Sequence, residues 1–184
     1  MNINDIKTGD SFLVKTDNFL GKCICAVMRR WAKKKGYPSE LVFNHAATFV
    51  WERGKLYLYG SVDNGFNPIL FTRHYDFDKS NFVVMRRVNP LTIEEEDQAV
   101  HYLIHLDTIS KSYQYWNFIQ WLLLVYLNIN LFRDDPNGFL YCYESTMKLR
   151  KHLDPLKYKD VYCTDIFQLL YDKNWEIIYR NLNQ

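Results

Sequence analysis

Cysteine, glycine, proline and charge of one sign are all scarce in this chain, and each shortage removes a class of protein. The four cysteines, at 23, 25, 142 and 163, show neither the close pairs of a structural zinc site nor a disulfide framework. Cys23 and Cys25 are too near for an unstrained bridge, and with Lys22, Ile24 and Val27 they read as buried helix positions. Seven glycines and five prolines are spread over 184 residues without a repeat, linker or low-complexity stretch, so a single domain spanning residues 1–184 is expected. A formal charge of only +2 gives no global electrostatic case for nucleic acid or an acidic polymer as partner. Hydrophobic runs are short. The longest, Trp116 to Phe132, is interrupted by Gln120, Asn128 and Asn130, is too polar to span a bilayer, and reads as a buried central helix. The opening Met1-Asn2-Ile3-Asn4-Asp5-Ile6-Lys7 lacks the layout of a signal peptide, which points to a cytoplasmic protein.

What the chain has in quantity is apolar and aromatic side chains. Hydrophobic residues make up 48%, which excludes a disordered chain, and fourteen tyrosines with twelve phenylalanines are enough to fill a core or to line a groove. Core is the usual fate of such residues.

Gly9-Asp10 turns into a short strand, and Phe19, Leu20, Cys23, Ile24, Val27, Met28 and Trp31 then recur at helical spacing, with Gly36 and Pro38 as the stop. The other face of that helix carries Lys22, Arg29, Arg30, Lys33, Lys34 and Lys35. This is the pattern of a solvated face or of a peripheral contact with an anionic membrane or nucleic acid. Strands at Val42–Trp51 and Lys55–Val62 form a hairpin about Arg53-Gly54. A turn at 63–65 and a polar loop precede a strand at 82–88. Thr92 and Glu95 then spell a capping box for a helix over 93–109. Another helix follows from Cys142 to Leu153, and Thr164 to Asn181 forms a last helix or turn-rich tail.

Two residues carry the chemistry. Cys142 opens a helix, where the positive end of the macrodipole favours a thiolate, and His45 sits on a strand, where an imidazole can be held as a base. The hairpin register pairs His45 with Val62 and puts it on one face with Ala47, Phe49, Leu58 and Gly60, an apolar face on which a satisfied core histidine is the common case. His101 and His105 share a helix face but have no carboxylate motif beside them, so no metal and no cofactor is expected.

Gly9-Asp10 ahead of the first strand, Asn44-His45-Ala46 on a strand, Gly60-Ser61 on the next, Trp116-Asn117-Phe118, Tyr141-Cys142-Tyr143-Glu144 opening a late helix and Cys163-Thr164-Asp165 in the tail follow one another in a familiar order. In that order and spacing the chain resembles the circularly permuted NlpC-type, papain-like cysteine hydrolases, specifically their YiiX-like branch, over nearly its whole length. The resemblance implies an α+β, papain-like, circularly permuted NlpC-type fold, with a small antiparallel sheet or partial barrel packed on helices. It also implies amide or ester substrates: peptides, peptidoglycan-type peptides or lipid acyl groups. Cys142 would be the nucleophile and His45 the general base of a cysteine hydrolase or acyltransferase working through an acyl-enzyme. The family's usual glutamate, which orients the histidine, matches Gly60 here, leaving Asp63 or Asn64 as substitutes. Tyr115 or Tyr141 would add an oxyanion donor to the backbone N–H of Cys142. The loss at position 60 keeps a second reading open, a papain-like binding module with weakened or absent catalysis.

Overall fold

The computed structural model describes residues 2–38, 41–62, 65–71, 80–109, 116–131, 142–158 and 166–182. Among these residues a six-stranded sheet, entirely antiparallel, runs in the order β4-β3-β2-β1-β5-β6. Its strands are β1 (Ser11–Lys15), β2 (His45–Glu52), β3 (Lys55–Val62), β4 (Gly65–Leu70), β5 (Asn81–Arg87) and β6 (Trp175–Asn181). The helices are α1 (Phe19–Lys35), α2 (Ile93–Ile109), α3 (Trp116–Leu122), α4 (Cys142–Leu153) and α5 (Ile166–Leu170).

Strand alternation divides the interior. Leu13, Ala46, Val83 and Met85 face α1 and α4, meeting Met28 and Trp31 of the first and Cys142, Tyr143 and Met147 of the second. Phe12, Val14, Ala47, Phe49, Leu58, Phe82 and Val84 point the opposite way into an aromatic cluster, where Phe12 meets Phe49 and Phe71 edge-to-face at 5.4 and 5.7 Å. Further along, Val50, Tyr59 and Phe66 pack on Ala99, Leu103 and Leu106 of α2 and on Leu149 of α4. The phenylalanines thus serve chiefly as core, with Phe12, Phe43, Phe49, Phe66, Phe71, Phe82 and Phe167 among the largest fully buried side chains.

Local signals worked where short-range chemistry decides. The β2–β3 hairpin turns at Arg53 and Gly54, with φ of 50° and 73°, and pairs Glu52 with Lys55. Thr92 Oγ1 accepts from the Glu95 N–H at 3.2 Å, and Glu95 returns a carboxylate to the Thr92 N–H at 2.9 Å, completing the capping box of α2.

Three expectations need correction. The stretch read as a polar loop after the hairpin contains β4, whose Pro68 is tolerated because the strand lies on the sheet edge. The tail read as helix or turns contains β6, which pairs with β5 across a register shift at Val84/Met85. The apolar run from Trp116 is not a buried central helix: α3 gives way to a π-helical turn over Leu123–Leu127, and among the described residues of the run only Trp121, Leu124 and Val125 are buried, while Ile119, Tyr126, Leu127, Ile129 and Leu131 are exposed.

Candidate active site

The site is built where α4 begins against the lead-in to β2. Tyr143 donates its hydroxyl to the Phe43 carbonyl at 2.8 Å, and the Cys142 thiol lies 3.7 Å from the Asn44 carbonyl. Two successive side chains of the helix therefore grip two successive peptides of the strand, immediately before His45. Cys142 is 2% exposed, and its own carbonyl accepts from Ser145 Oγ at 2.8 Å. As the first residue of a twelve-residue helix, it contributes one of the backbone N–H groups that the helix leaves unbonded.

Asn44 fixes this junction from the other side. Its carboxamide oxygen accepts from the Thr16 N–H at 2.8 Å and from Thr16 Oγ1 at 3.0 Å, and its amide nitrogen donates to the Thr16 carbonyl at 2.7 Å. Gly21 makes the arrangement possible, because a Cβ there would fall 2.5 Å from Asn44 Nδ2. Sequence reasoning gave Asn44 a place in the motif but not this role. The contact crosses 28 positions of sequence, and only its buried amide in an otherwise apolar strand hints at it.

His45 is half-buried, and loss of water around the ring pushes its pKa down to about 4, so the imidazole is neutral at pH 7. The hairpin register holds as expected. A Cβ on Gly60 would lie 3.4 Å from His45 Nε2 and 3.0 Å from the Ala47 Cβ. Position 60 is thus directly beside the imidazole, and here it carries no side chain. Ser61 points to the opposite face, where its hydroxyl is buried without a hydrogen-bond partner among the described residues. No side-chain hydrogen bond joins the His45 ring to Cys142 or to any other described residue.

The other candidate residues stand apart. Asp63, Asn64, Tyr115, Tyr141 and Cys163 lie outside the described residues. Cys25 is a core thiol that burial pushes above its ordinary pKa. His101 is exposed and lies 3.5 Å from Asp97 on its own helix.

No family model matches the sequence, and no curated protein matches it. The structural comparison is informative. The crystal structure of the metalloprotein YiiX from Escherichia coli O157:H7 (DUF1105) superposes with a TM-score of 0.59, over 96% of this chain and 98% of its own, at 11% identity. The fold resembles that of YiiX. Among the described residues no group of three or more His, Cys, Asp and Glu side chains could hold a metal ion. No helix among them is long and apolar enough to cross a membrane.

Proposed function

We propose that the protein is a cysteine hydrolase or acyltransferase on a YiiX-like scaffold, with Cys142 as nucleophile and His45 as general base. The observation that carries this reading is the α4–β2 junction, where the thiol at a helix N-terminus contacts the peptide adjoining the histidine. In the reaction, Sγ attacks the carbonyl carbon of an amide or ester and the thiol proton passes to His45. The tetrahedral oxyanion takes the backbone N–H of Cys142. Collapse expels the amine or alcohol, which receives that proton. Water or an acceptor alcohol then cleaves the thioester and restores the thiol. A neutral imidazole can accept the proton, but the His45 ring lies beside Gly60 and Ala47 while Cys142 packs with Ala46 on the other face, so the transfer requires the chain at the start of β2 to rearrange and not a turn of the ring alone.

One observation favours a second reading. With glycine at position 60, nothing there orients His45 or stabilises its imidazolium, which is the arrangement expected of a binding module that keeps the cleft and has lost efficient chemistry. Iodoacetamide labelling across pH, with peptide mapping of all four cysteines in the parent and in His45→Ala, separates the two. The hydrolase reading expects selective labelling of Cys142 with an apparent pKa below about 8.5, lost or shifted in His45→Ala. A Cys142 that reacts no faster than Cys23 or the core thiol Cys25 would establish the binding module instead.

A further inference from the structure

Helix α1 carries Lys22, Arg29, Arg30, Lys33, Lys34 and Lys35 and no acidic residue. The whole chain has 23 lysines and arginines against 21 acids, so removing this one helix leaves 17 cations facing 21 anions. The charge of a nearly neutral protein is thus concentrated on one element. All six cations are exposed to solvent.

The fold sets the end of that helix against the exposed apolar run that follows α3. The Arg30 guanidinium lies 4.8 Å from the centre of the Tyr126 ring, and Lys34 Nζ donates to Asn128 Oδ1 at 2.8 Å and to the Leu124 carbonyl at 3.4 Å. These contacts tether a stretch in which Tyr126, Leu127, Ile129 and Leu131 are all exposed, Leu127 by 63%. Between the two elements lies an open cavity of about 340 Å³ with the ammonium groups of Lys34 and Lys35, the rings of Trp31 and Tyr37, and Asn128 on its walls. Apolar side chains alternating with asparagine beside a cluster of cations make a surface with two affinities, one for hydrocarbon and one for anions.

We propose that this surface, the basic face of α1 with the Tyr126–Leu131 run, docks the protein peripherally on an anionic lipid membrane. Tyr126, Leu127, Ile129 and Leu131 enter the headgroup and acyl boundary, while Arg29, Arg30 and Lys33 to Lys35 meet lipid phosphates. The cavity is large enough to receive a headgroup. A nucleic acid would use the cations but give no reason for four exposed aliphatic and aromatic side chains next to them. A protein partner has no such reason to require a helix without a single acid. The proposal stands independently of any chemistry at Cys142.

The test is co-flotation of the full chain with vesicles of phosphatidylcholine alone and of phosphatidylcholine containing about 30% phosphatidylserine. Expected is binding to the anionic vesicles only, weakened by salt. Arg29→Glu with Lys33→Glu, and separately Leu127→Asp with Ile129→Asp, should each lower the partition coefficient about tenfold or more. These positions are exposed, and circular dichroism checks that each variant is folded; Cys142→Ser should bind like the parent. Three results would overturn the proposal: no binding to anionic vesicles at low salt, binding unaffected by either double variant, or binding to a single-stranded oligonucleotide or to a second copy of the chain in place of vesicles.

Discussion

The two ends of helix α4 are built on opposite terms. At the last turn, Arg150 is 1% exposed, and its guanidinium donates to the Leu169 carbonyl at 3.0 Å, to Asp172 at 3.1 Å and to Ser11 Oγ at 3.4 Å while lying 4.0 Å over the Trp175 ring. Burial lowers its pKa to about 10, yet it remains charged at neutral pH. Asp172 also accepts from Lys157 at 2.8 Å and from the Tyr158 hydroxyl. Burial alone would raise the Asp172 carboxyl, but these donors together hold it below its ordinary value. Eight residues earlier, about 12 Å along the axis, the first turn presents a thiol 3.7 Å from the carbonyl of Asn44, the residue before a histidine whose ring makes no hydrogen bond among the described residues. Although Arg150 Nε is buried without a hydrogen-bond partner among the described residues, this ion-paired end locks α4 to β1, α5 and the turn before β6. The first turn is held to the strand by hydrogen bonds from a thiol and a hydroxyl to neutral backbone carbonyls, so these fastenings of α4 are weaker than the charge-assisted ones at its other end.

The sharpest way to break this contrast is to remove the anion from the ion-paired end. Asp172→Ala leaves Arg150 charged and buried with two neutral acceptors, and should cost about 3–5 kcal/mol in urea unfolding. Lys157→Met, which takes away a partner whose side chain is one-third exposed, should cost under about 1 kcal/mol. Equal effects of the two variants would show that the Arg150 cluster is not the anchor.

The other end makes itself visible through pH. Since the pKa of His45 is lowered to about 4 in the folded chain, the unfolded chain binds a proton at this residue between its ordinary value of 6.5 and 4, where the native state does not. The contribution of the neutral ring is therefore whole above pH 6.5 and is lost as the pH falls toward 4, by about 3 kcal/mol. Urea titrations in steps from pH 7 to pH 4 should show this slope in the parent and not in His45→Ala. Asp172 also loses stability on acidification, but only as the pH drops through and below the ordinary carboxylate range, so both chains share that part. An identical slope in the two proteins would place His45 in open solvent.

Much of this contrast was legible in the sequence on one side and not on the other. Cys142 at a helix start, the Arg53-Gly54 turn and the register bringing Gly60 beside His45 all follow from patterns a few residues long, and the structure reproduces each. Arg150 was silent, because its partners lie 19, 22 and 139 positions away and a basic residue in the last turn of a helix ordinarily faces solvent. Strands β4 and β6 escaped for a related reason. Pro68 and Asn67 in the one, and charged Glu176 and Arg180 in the other, are tolerated only at sheet edges, and which strand forms an edge is decided by tertiary pairing. The run after Trp116 misled because apolar composition gives no account of which residues find a neighbour.

Position 60 bears most directly on the first turn of α4 and its histidine neighbour. A Cβ at position 60 would press on the Ala47 Cβ at 3.0 Å, the Ala46 carbonyl at 3.3 Å and His45 Nε2 at 3.4 Å, so Gly60→Ala should destabilise by about 1 kcal/mol. Much of that cost should vanish when Ala47→Gly is added, since the closest of the three contacts is then gone. In that relieved background Gly60→Glu places a carboxylate at the imidazole, where it raises the pKa of His45 and fixes the ring, and labelling of Cys142 by iodoacetamide should accelerate. A faster reaction at Cys142 in Gly60→Glu/Ala47→Gly than in Gly60→Ala/Ala47→Gly identifies the missing side chain as what separates this site from an efficient one. If the acid changes the histidine's pKa but leaves the thiol as slow as before, ring and thiol do not communicate, and α4 holds Cys142 for packing alone.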